Sequence, residues 1–216
     1  MMGMKALSLI SGGIDSPVSS YLMLRKGVEL VYVHFHSFPI VSRTSVYKVM
    51  QLVKLLSKYR SPSILYLIPL GEIQTYLRTR VDPRYLIILY RRFMLRIAEK
   101  IAEREEASAI VTGESLGQVS SQTLQNLKVI EEAIRIPILR PLIGLDKEEI
   151  VDIAKRIGTY EISIKPQEDC CTLFVPKRQI TAARLEDIKR IEKDLPIKEL
   201  VESALKKVEK VVVEYS

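Results

Sequence analysis

Short apolar runs alternate with longer segments of helical periodicity along most of this chain, and this alternation restricts the possible folds more than any other feature. The apolar runs cover residues 5–10, 29–36, 63–70, 108–113 and 136–142. The first of them, KALSLI, is short and followed closely by glycine, which is typical of a buried strand. Strands that alternate with helices predict an α/β fold, here an open, mostly parallel five-stranded sheet with helices on both faces.

The segments between these runs have the spacing of helices. Gly27 and Gly158 stand where the first and last of these helices should end. The segment from residue 178 onward is charged and helical in period. We therefore expect residues 1–177 to form one domain and residues 178–216 to form a solvated helical extension. The second helix is expected to place five apolar side chains on one face: Val46, Val49, Met50, Val53 and Leu56.

The composition indicates a globular protein of a reducing compartment. Hydrophobic residues make up 47% of the 216 residues, no apolar run is long enough to cross a bilayer, and nothing resembles a signal peptide. The two cysteines, Cys170 and Cys171, are neighbours and therefore unsuited to bridge each other, so we expect a cytoplasmic location. The net charge of +7 favours polyanionic partners such as nucleic acid, although it also fits a basic solvated surface.

The turn SGGIDS, residues 11–16, joins the first predicted strand to a helix that has Pro17 at its start. Such a junction exposes unpaired backbone N–H groups at the positive end of a helix dipole, and its glycines let a ligand approach the main chain. Phosphate is the usual ligand, and the alternative is an ordinary tight turn capped by Ser11, Asp15 or Ser16. The turn is neither a Walker A loop nor a Gly-x-Gly-x-x-Gly loop.

Three groups of polar residues follow predicted strands, and they should meet. Residues 11–16 follow the first strand, residues 34–37 end the second, and residues 113–122 follow the fourth. Ligands of open parallel sheets bind at the carboxyl ends of the strands. The sequence therefore predicts one binding site at that edge of the sheet.

Five segments, in this order, extend the pattern beyond a fold class: SGGIDSPVSSYLMLRKG, VHFHS, YRRFMLRIAEKIAE, VTGESLGQVSSQTLQNL and PQEDCC. Together they resemble the PP-loop ATP pyrophosphatase domain of the tRNA 4-thiouridine synthetases, also called tRNA sulfurtransferases. The resemblance covers roughly residues 4–177. The first segment is shared by many PP-loop enzymes, whereas the fourth and fifth are far more specific.

The resemblance implies a reaction and a set of site residues. ATP, with Mg²⁺, activates a uridine carbonyl oxygen in tRNA as an adenylate, pyrophosphate leaves, and a sulfur nucleophile displaces AMP. Asp15 and Lys147 match catalytic positions, and Cys170 matches the cysteine that handles sulfur. The loop would hold the phosphates, with two residues of the second strand against the adenosine. The matching nucleotide-binding positions are Leu9, Ile10, Ser11, Gly12, Gly13, Ser16, His34, Phe35, Arg91, Gly113 and Gln122.

Elementary chemistry supports the role of Asp15 and bears on a possible metal pair. A carboxylate beside the loop would suit a metal ion or its waters, although Asp15 could also be only a helix cap. His34 and His36 are two residues apart on a predicted strand, a spacing that also occurs in metal-binding pairs. The chain contains only these two histidines, so we expect no metal site there.

The arginines and cysteines leave alternatives open. Arg91, Arg92 and Arg96 could bind phosphate or tRNA, whereas Arg92 and Arg96, four residues apart, could be only a solvated helix face. Cys170 follows a polar stretch with a proline, which favours an exposed thiol over an inert buried one. Cys171 is the alternative nucleophile.

The phosphate loop begins at residue 11, and no rhodanese-like domain follows the cysteines. We therefore expect tRNA capture to depend on a separate RNA-binding protein or domain, and sulfur to come from a persulfide or sulfide donor. No membrane partner is expected, and a homodimer is left open. The alternative functions are adenylation of another acceptor, such as a sulfur-carrier protein of thiamine biosynthesis or a small metabolite, and nucleotide binding without sulfur chemistry.

Overall fold

The computed structural model describes residues 4–166, 174–176 and 179–215. Its centre is a sheet with the strand order β5-β4-β1-β2-β3-β6. Neighbours among the first five strands pair in parallel, and β6 pairs antiparallel with β3. The strands are β1 (Lys5–Leu9), β2 (Glu29–His36), β3 (Ser63–Pro69), β4 (Ala109–Val111), β5 (Ile138–Leu139) and β6 (Glu209–Val213).

Helices cover both faces of this sheet, which confirms the predicted α/β architecture. They are α1 (Asp15–Arg25), α2 (Thr44–Leu56), α3 (Gly71–Arg78), α4 (Leu86–Arg104), α5 (Leu124–Glu131), α6 (Lys147–Ile157), α7 (Tyr160–Ser163), α8 (Leu185–Lys193) and α9 (Ile197–Lys206). None of these described helices is long and apolar enough to cross a bilayer.

Alternation of side chains along the strands divides the core between the two faces. Leu7 contributes to the core under α3, α4, α5, α8 and α9, and its neighbour Ala6 contributes to the core under α2. Helices α1 and α6 pack together beside that second core through Val18 and Ile150. The apolar face expected for α2 is also present, because Val46, Val49, Val53 and Leu56 are buried and Met50 is half-buried.

Local signals account for several helix ends. Asp146 caps α6 by accepting a hydrogen bond from the N–H of Glu149, while the Glu149 carboxylate accepts one from the N–H of Asp146. Gly158 ends the same helix with a φ of +79°, in the left-handed region that favours glycine. Gly27 has the same φ just after α1. Helices α3 and α7 are short and have no such sequence signals, and neither helix was predicted from the sequence.

The C-terminal segment corrects two expectations. First, the sheet has a sixth strand where five were predicted, because β6 pairs with β3 in a register that sets Val211 opposite Leu65. Second, the described part of this segment is not a solvated extension, since Ile188 of α8 and Leu200 of α9 are buried in the core around α4. Apart from the buried Glu192, the charged residues of α8 and α9 lie mainly on the outer faces, and they dominated the sequence pattern.

The strand order places a switch point between β1 and β4. The chain leaves β1 toward β2 and β3 on one side and returns to β4 and β5 on the other. At such a point the connections diverge, and a crevice opens beyond the carboxyl ends of the two strands.

Candidate functional site

A cavity of about 590 Å³ opens at this switch point, within the size range of small-molecule sites. The structure brings twelve of the predicted site residues to its wall: Leu9, Ile10, Ser11, Gly12, Gly13, Asp15, Ser16, His34, Phe35, Arg91, Gly113 and Gln122. Lys147 reaches the site indirectly, through its contact with Asp15. Cys170 and Cys171 lie outside the described residues. The functional roles of all these residues stay predictions.

The phosphate loop, residues 11–16, holds its shape through its own hydroxyl groups. The N–H of Ser11 donates to Ser16 Oγ at 2.8 Å, and the N–H of Gly13 donates to Ser11 Oγ at 3.3 Å. No side chain of the described residues caps α1, whose N-cap residue is Ile14. The loop hydroxyls therefore do not serve the helix as caps, and the positive end of α1 is left for an anion.

Gly113, two residues past β4, packs directly against the start of α1. A Cβ atom at this position would lie 2.7 Å from the Ser16 N and Cα atoms and 2.9 Å from the Asp15 carbonyl carbon. These are backbone atoms, which cannot turn aside as a flexible side chain could. Only glycine therefore lets the end of β4 approach the loop this closely.

His34 is buried in the wall of the cavity and is uncharged. Its Nδ1 lies 3.0 Å from the Ile10 carbonyl oxygen, which can only accept, so Nδ1 carries the proton. Nε2 then accepts from Ser45 Oγ at 3.3 Å. Burial lowers the pKa of His34 to about 4, against the opposing effect of the Ile10 carbonyl. A neutral ring suits contact with an apolar or aromatic ligand surface.

A buried ionic triad joins three elements at the opposite wall. The Glu114 carboxylate, 3% exposed, binds the guanidinium of Arg91 from α4 and that of Arg140, which follows β5, with Arg140 Nε at 2.7 Å. Burial alone would raise the pKa of Glu114, but the two guanidinium groups hold it below its usual range. Arg140 also pairs with Glu131 at 2.8 Å, so the positive and negative charges of the cluster balance. Of the two arginines, Arg91 lines the cavity, where its guanidinium is a suitable donor to an anion.

Gln122 offers the cavity a buried acceptor. Its Oε1 is buried and has no hydrogen-bond partner within the described chain. A buried polar atom without a partner is costly, and a ligand donor would relieve that cost. Ser121 beside it is already engaged, because its Oγ accepts from Arg91 at 2.9 Å.

Lys147 and Asp15 form an ion pair at the mouth of the site. Lys147 Nζ lies 2.5 Å from Asp15 Oδ1, with both side chains partly exposed. The two residues are 132 positions apart in the sequence, and each begins a helix, α6 and α1 respectively. The pair thus places one positive and one negative group next to the phosphate loop.

Arg92 and Arg96 neither line the cavity as phosphate ligands nor form a solvated helix face. Arg92 is 1% exposed and does not line the cavity; its Nε and Nη2 donate to the two Glu192 carboxylate oxygens, each at 2.8 Å. Arg96 binds the same carboxylate at 2.7 and 2.8 Å. These arginines hold α8 on α4, and the sequence pattern could not reveal this because Glu192 lies about a hundred residues away.

Sequence reasoning also missed several residues that build the site. Glu114 belongs to the fourth segment of the family resemblance, but it was not predicted as a site residue. An acidic residue just after a buried strand indicates a charged partner. Ser45, which binds His34, and Gln179, which lines the cavity, had no sequence signal. Among the described residues, no group of three or more His, Cys, Asp or Glu could hold a metal ion.

The fold and the site together define an α/β protein of the PP-loop class, with a phosphate loop at the switch point of a parallel sheet. A family model described as thiamine biosynthesis protein (ThiI) matches residues 2–197, and the chain belongs to this family. It is 50% identical over 202 residues to a probable tRNA sulfurtransferase of Thermus thermophilus, covering 94% of this chain and 50% of the relative. A relative with the same name from Moorella thermoacetica is 49% identical over 210 residues, with coverages of 97% and 54%.

Solved structures agree with this assignment. A 4-thiouridine synthetase in complex with RNA and bound ATP is 44% identical, with a TM-score of 0.93, and the match covers 97% of this chain and 55% of that one. An NMN synthetase from Francisella tularensis shares the fold alone, at 11% identity and a TM-score of 0.58, over 94% of this chain and 84% of that one. This chain spans about half the length of the curated relatives it matches.

Proposed function

We propose that this chain uses ATP to adenylate a uridine of tRNA and then transfers sulfur to it, giving 4-thiouridine. The close packing of Gly113 on the start of α1 carries the proposal, because it places a backbone cradle and an uncapped helix N-terminus at one end of a cavity of suitable size. The similarity to a 4-thiouridine synthetase with bound ATP and RNA supports the same reading.

In this proposal, different residues of the cavity contact the phosphates and the adenosine of the nucleotide. The phosphate loop and the N-terminus of α1 hold the phosphates through backbone N–H groups. The Arg91 guanidinium in the cavity wall would donate to the same phosphates. His34, neutral and held by two hydrogen bonds, lies with Phe35 against the adenosine. Gln122 Oε1 is then free to accept from a ligand N–H or O–H group.

Asp15 is the residue that would hold Mg²⁺. Within the described chain, the acidic residues lining the cavity are Asp15 and Glu114, and Glu114 is held by two arginines. Mg²⁺ commonly takes one or two carboxylates together with substrate phosphate oxygens, which a single aspartate beside a phosphate loop satisfies. The ion would neutralise charge on the departing pyrophosphate. Lys147, already paired with Asp15, would carry a second positive charge there.

The sulfur step requires a thiol. In the first step, the uridine O4 bonds to the α-phosphorus of ATP and pyrophosphate leaves with the electron pair of the broken P–O bond. In the second, the terminal sulfur of a persulfide on Cys170 attacks C4 and AMP leaves with O4. A donor thiol then attacks the Cys170 sulfur, which releases the thiolated uridine and leaves a disulfide. The sulfur is thus reduced at the expense of the two thiols.

Several partners follow from this scheme. The acceptor is a tRNA, captured with a separate RNA-binding protein or domain, and the sulfur comes from a persulfide or sulfide donor. Binding of tRNA by this chain alone should be weak and should fall steeply as salt rises, because phosphate contacts dominate such binding. A homodimer and a cytoplasmic location remain part of the proposal.

The adenylation step is tested with Asp15→Ala. We expect pyrophosphate release from ATP to fall at least about 100-fold, since a group acting on developing charge in the transition state is lost. Asp152→Ala is the control, because Asp152 is exposed on α6 and takes no part in the site. Unchanged pyrophosphate release in a folded Asp15→Ala variant would remove Asp15 from the catalytic assignment.

The sulfur step is tested with Cys170→Ser and Cys171→Ser. Thiolation of tRNA by a persulfide donor should stop in the first variant and largely persist in the second, while both bind ATP normally. Full thiolation by Cys170→Ser would show that sulfur reaches the adenylate without this thiol.

The family is described by a role in thiamine biosynthesis, which also favours a second acceptor, a sulfur-carrier protein of that biosynthesis. Pyrophosphate release stimulated by such a protein, and not by tRNA, would favour that acceptor.

A further inference from the structure

Lys48 of α2 is a buried cation outside the cavity wall. The residue is only 6% exposed. Its Nζ donates hydrogen bonds to the carbonyl oxygens of Ser163 and Lys165, at 2.7 and 2.6 Å. No carboxylate of the described chain forms an ion pair with it. Burial, and then the positive charge of Lys165, lower the pKa of Lys48. Because desolvating an ammonium group is costly, this arrangement calls for a reason other than an ion pair.

Ser163 connects this lysine to the phosphate loop. It is the last residue of α7, and its Oγ donates to the Gly13 carbonyl oxygen at 3.2 Å. A peptide group is planar, so holding the Gly13 carbonyl also sets the direction of the Ile14 N–H. The orientation of one N–H at the start of α1 therefore depends on the position of Ser163.

Helix α2 makes a second contact of the same kind. Ser45, three residues before Lys48, binds His34 Nε2 at 3.3 Å. Residues three apart share a helix face, so one face of α2 contacts both a wall residue of the cavity and the support of the loop. Packing that serves only stability would not need polar bonds at both of these points.

We propose that Lys48 is a positioning residue that acts through Ser163 to fix the Gly13–Ile14 peptide for binding the phosphates of a nucleoside triphosphate. The ligand class rests on the proposed function above. The positioning itself depends only on the bonds from Lys48 to Ser163 and from Ser163 to Gly13.

A double-mutant cycle on the ATP dissociation constant tests this coupling. Titration calorimetry should give about fivefold weaker binding for Ser163→Ala, the effect of losing one hydrogen bond. Lys48→Met should weaken binding at least as much, and the double variant no more than Lys48→Met alone, since both changes break one chain of contacts. Lys54→Met, an exposed change on the same helix, should bind like the unmodified chain. Additive losses, or an equal loss in Lys54→Met, would overturn the proposal.

Amide hydrogen exchange gives a readout that needs no ATP. Peptides covering residues 10–18 should exchange faster in Lys48→Met and in Ser163→Ala than in Lys54→Met. Equal exchange in all three variants would contradict the positioning role even if the chain binds no nucleotide, and absent ATP binding with faster exchange would contradict only the proposed function. If Lys48→Met does not fold, Lys48→Gln replaces it in both experiments, because it removes the charge and its amide nitrogen ends one atom short of the lysine Nζ, which weakens the bonds to the two carbonyls.

Discussion

Replacing Gly113 by alanine tests the contact on which the site is built. The added Cβ would lie 2.7 Å from Ser16 backbone atoms, and ordinary contact begins at 3.4 Å, so the end of β4 or the start of α1 must retreat by roughly 0.7 Å. Neither can move freely, since β4 pairs on both sides in the sheet and α1 packs on α6. Overpacking of this kind costs about 3 kcal/mol at the upper end of its usual range.

The measurements are thermal unfolding and ATP titration of Gly113→Ala beside Gly144→Ala. A Cβ at Gly144 would meet nothing within 4 Å, and its φ is not in the left-handed region, so this variant controls for the methyl group alone. We expect the Tm of Gly113→Ala to fall by about 6–12 °C, given the size of the chain. ATP affinity should fall at least about tenfold, because the displaced backbone is the one proposed to contact the phosphates.

Two results would refute this reasoning. If Gly113→Ala unfolds at the temperature of Gly144→Ala, the backbone has room that the structure does not show. If Gly113→Ala is destabilised yet binds ATP as tightly as Gly144→Ala, the contact serves only packing, and the phosphates bind elsewhere.

Two further predictions concern buried charge. The pKa of His34 is about 4 in the folded chain and near 6.5 when unfolded, so its contribution to stability is complete above pH 6.5 and declines as pH falls toward 4. Urea unfolding should show a loss of stability between pH 7 and pH 4 that is about 3 kcal/mol smaller in His34→Gln, while His36, whose pKa burial also lowers, contributes in the same range. An unchanged slope in His34→Gln would contradict a neutral buried ring. Glu192→Gln should lower the free energy of unfolding by about 3 kcal/mol, because it removes the buried carboxylate that Arg92 and Arg96 share and leaves Arg92 the exposed Glu132 as its counter-charge. Glu186→Gln, exposed on the same helix, should have little effect, and equal stability of the two variants would contradict the importance of this ion pair.

Features encoded by neighbouring residues were predictable from the sequence. The five parallel strands, the helix ends at Gly27 and Gly158, and the turn at residues 11–16 each depend on a few consecutive residues. The meeting of Gly113 with that turn could also be inferred, because a parallel sheet brings strand ends to one edge. The family resemblance then supplied individual positions that local patterns do not single out, such as Gln122.

Features that depend on distant partners were not predictable in this way. Arg91 and Arg92 are neighbours with the same chemistry, yet one lines the cavity and the other is buried against Glu192. Successive residues of a helix point in different directions, and nothing near Arg92 in the sequence indicates which direction leads to α8. The strand β6 was missed for the same reason, since β3, the strand with which it pairs in the described part of the chain, lies about 150 residues earlier.

Charge and polarity are distributed unevenly along the cavity, and this distribution favours one orientation of a nucleotide. Arg91 of α4 lies at the end that also holds the triad, and Leu95, one turn later on the same face, lines the cavity with an apolar side chain. Neutral His34 adds no charge on the strand side. An adenine ring in the apolar part and phosphates at the loop would satisfy both ends, whereas the reverse orientation would bury phosphate charge against Leu95 and leave the unpaired N–H groups at the start of α1 without an acceptor. Under the proposed function, the interactions of the chain itself would therefore favour the orientation with the phosphates at the loop.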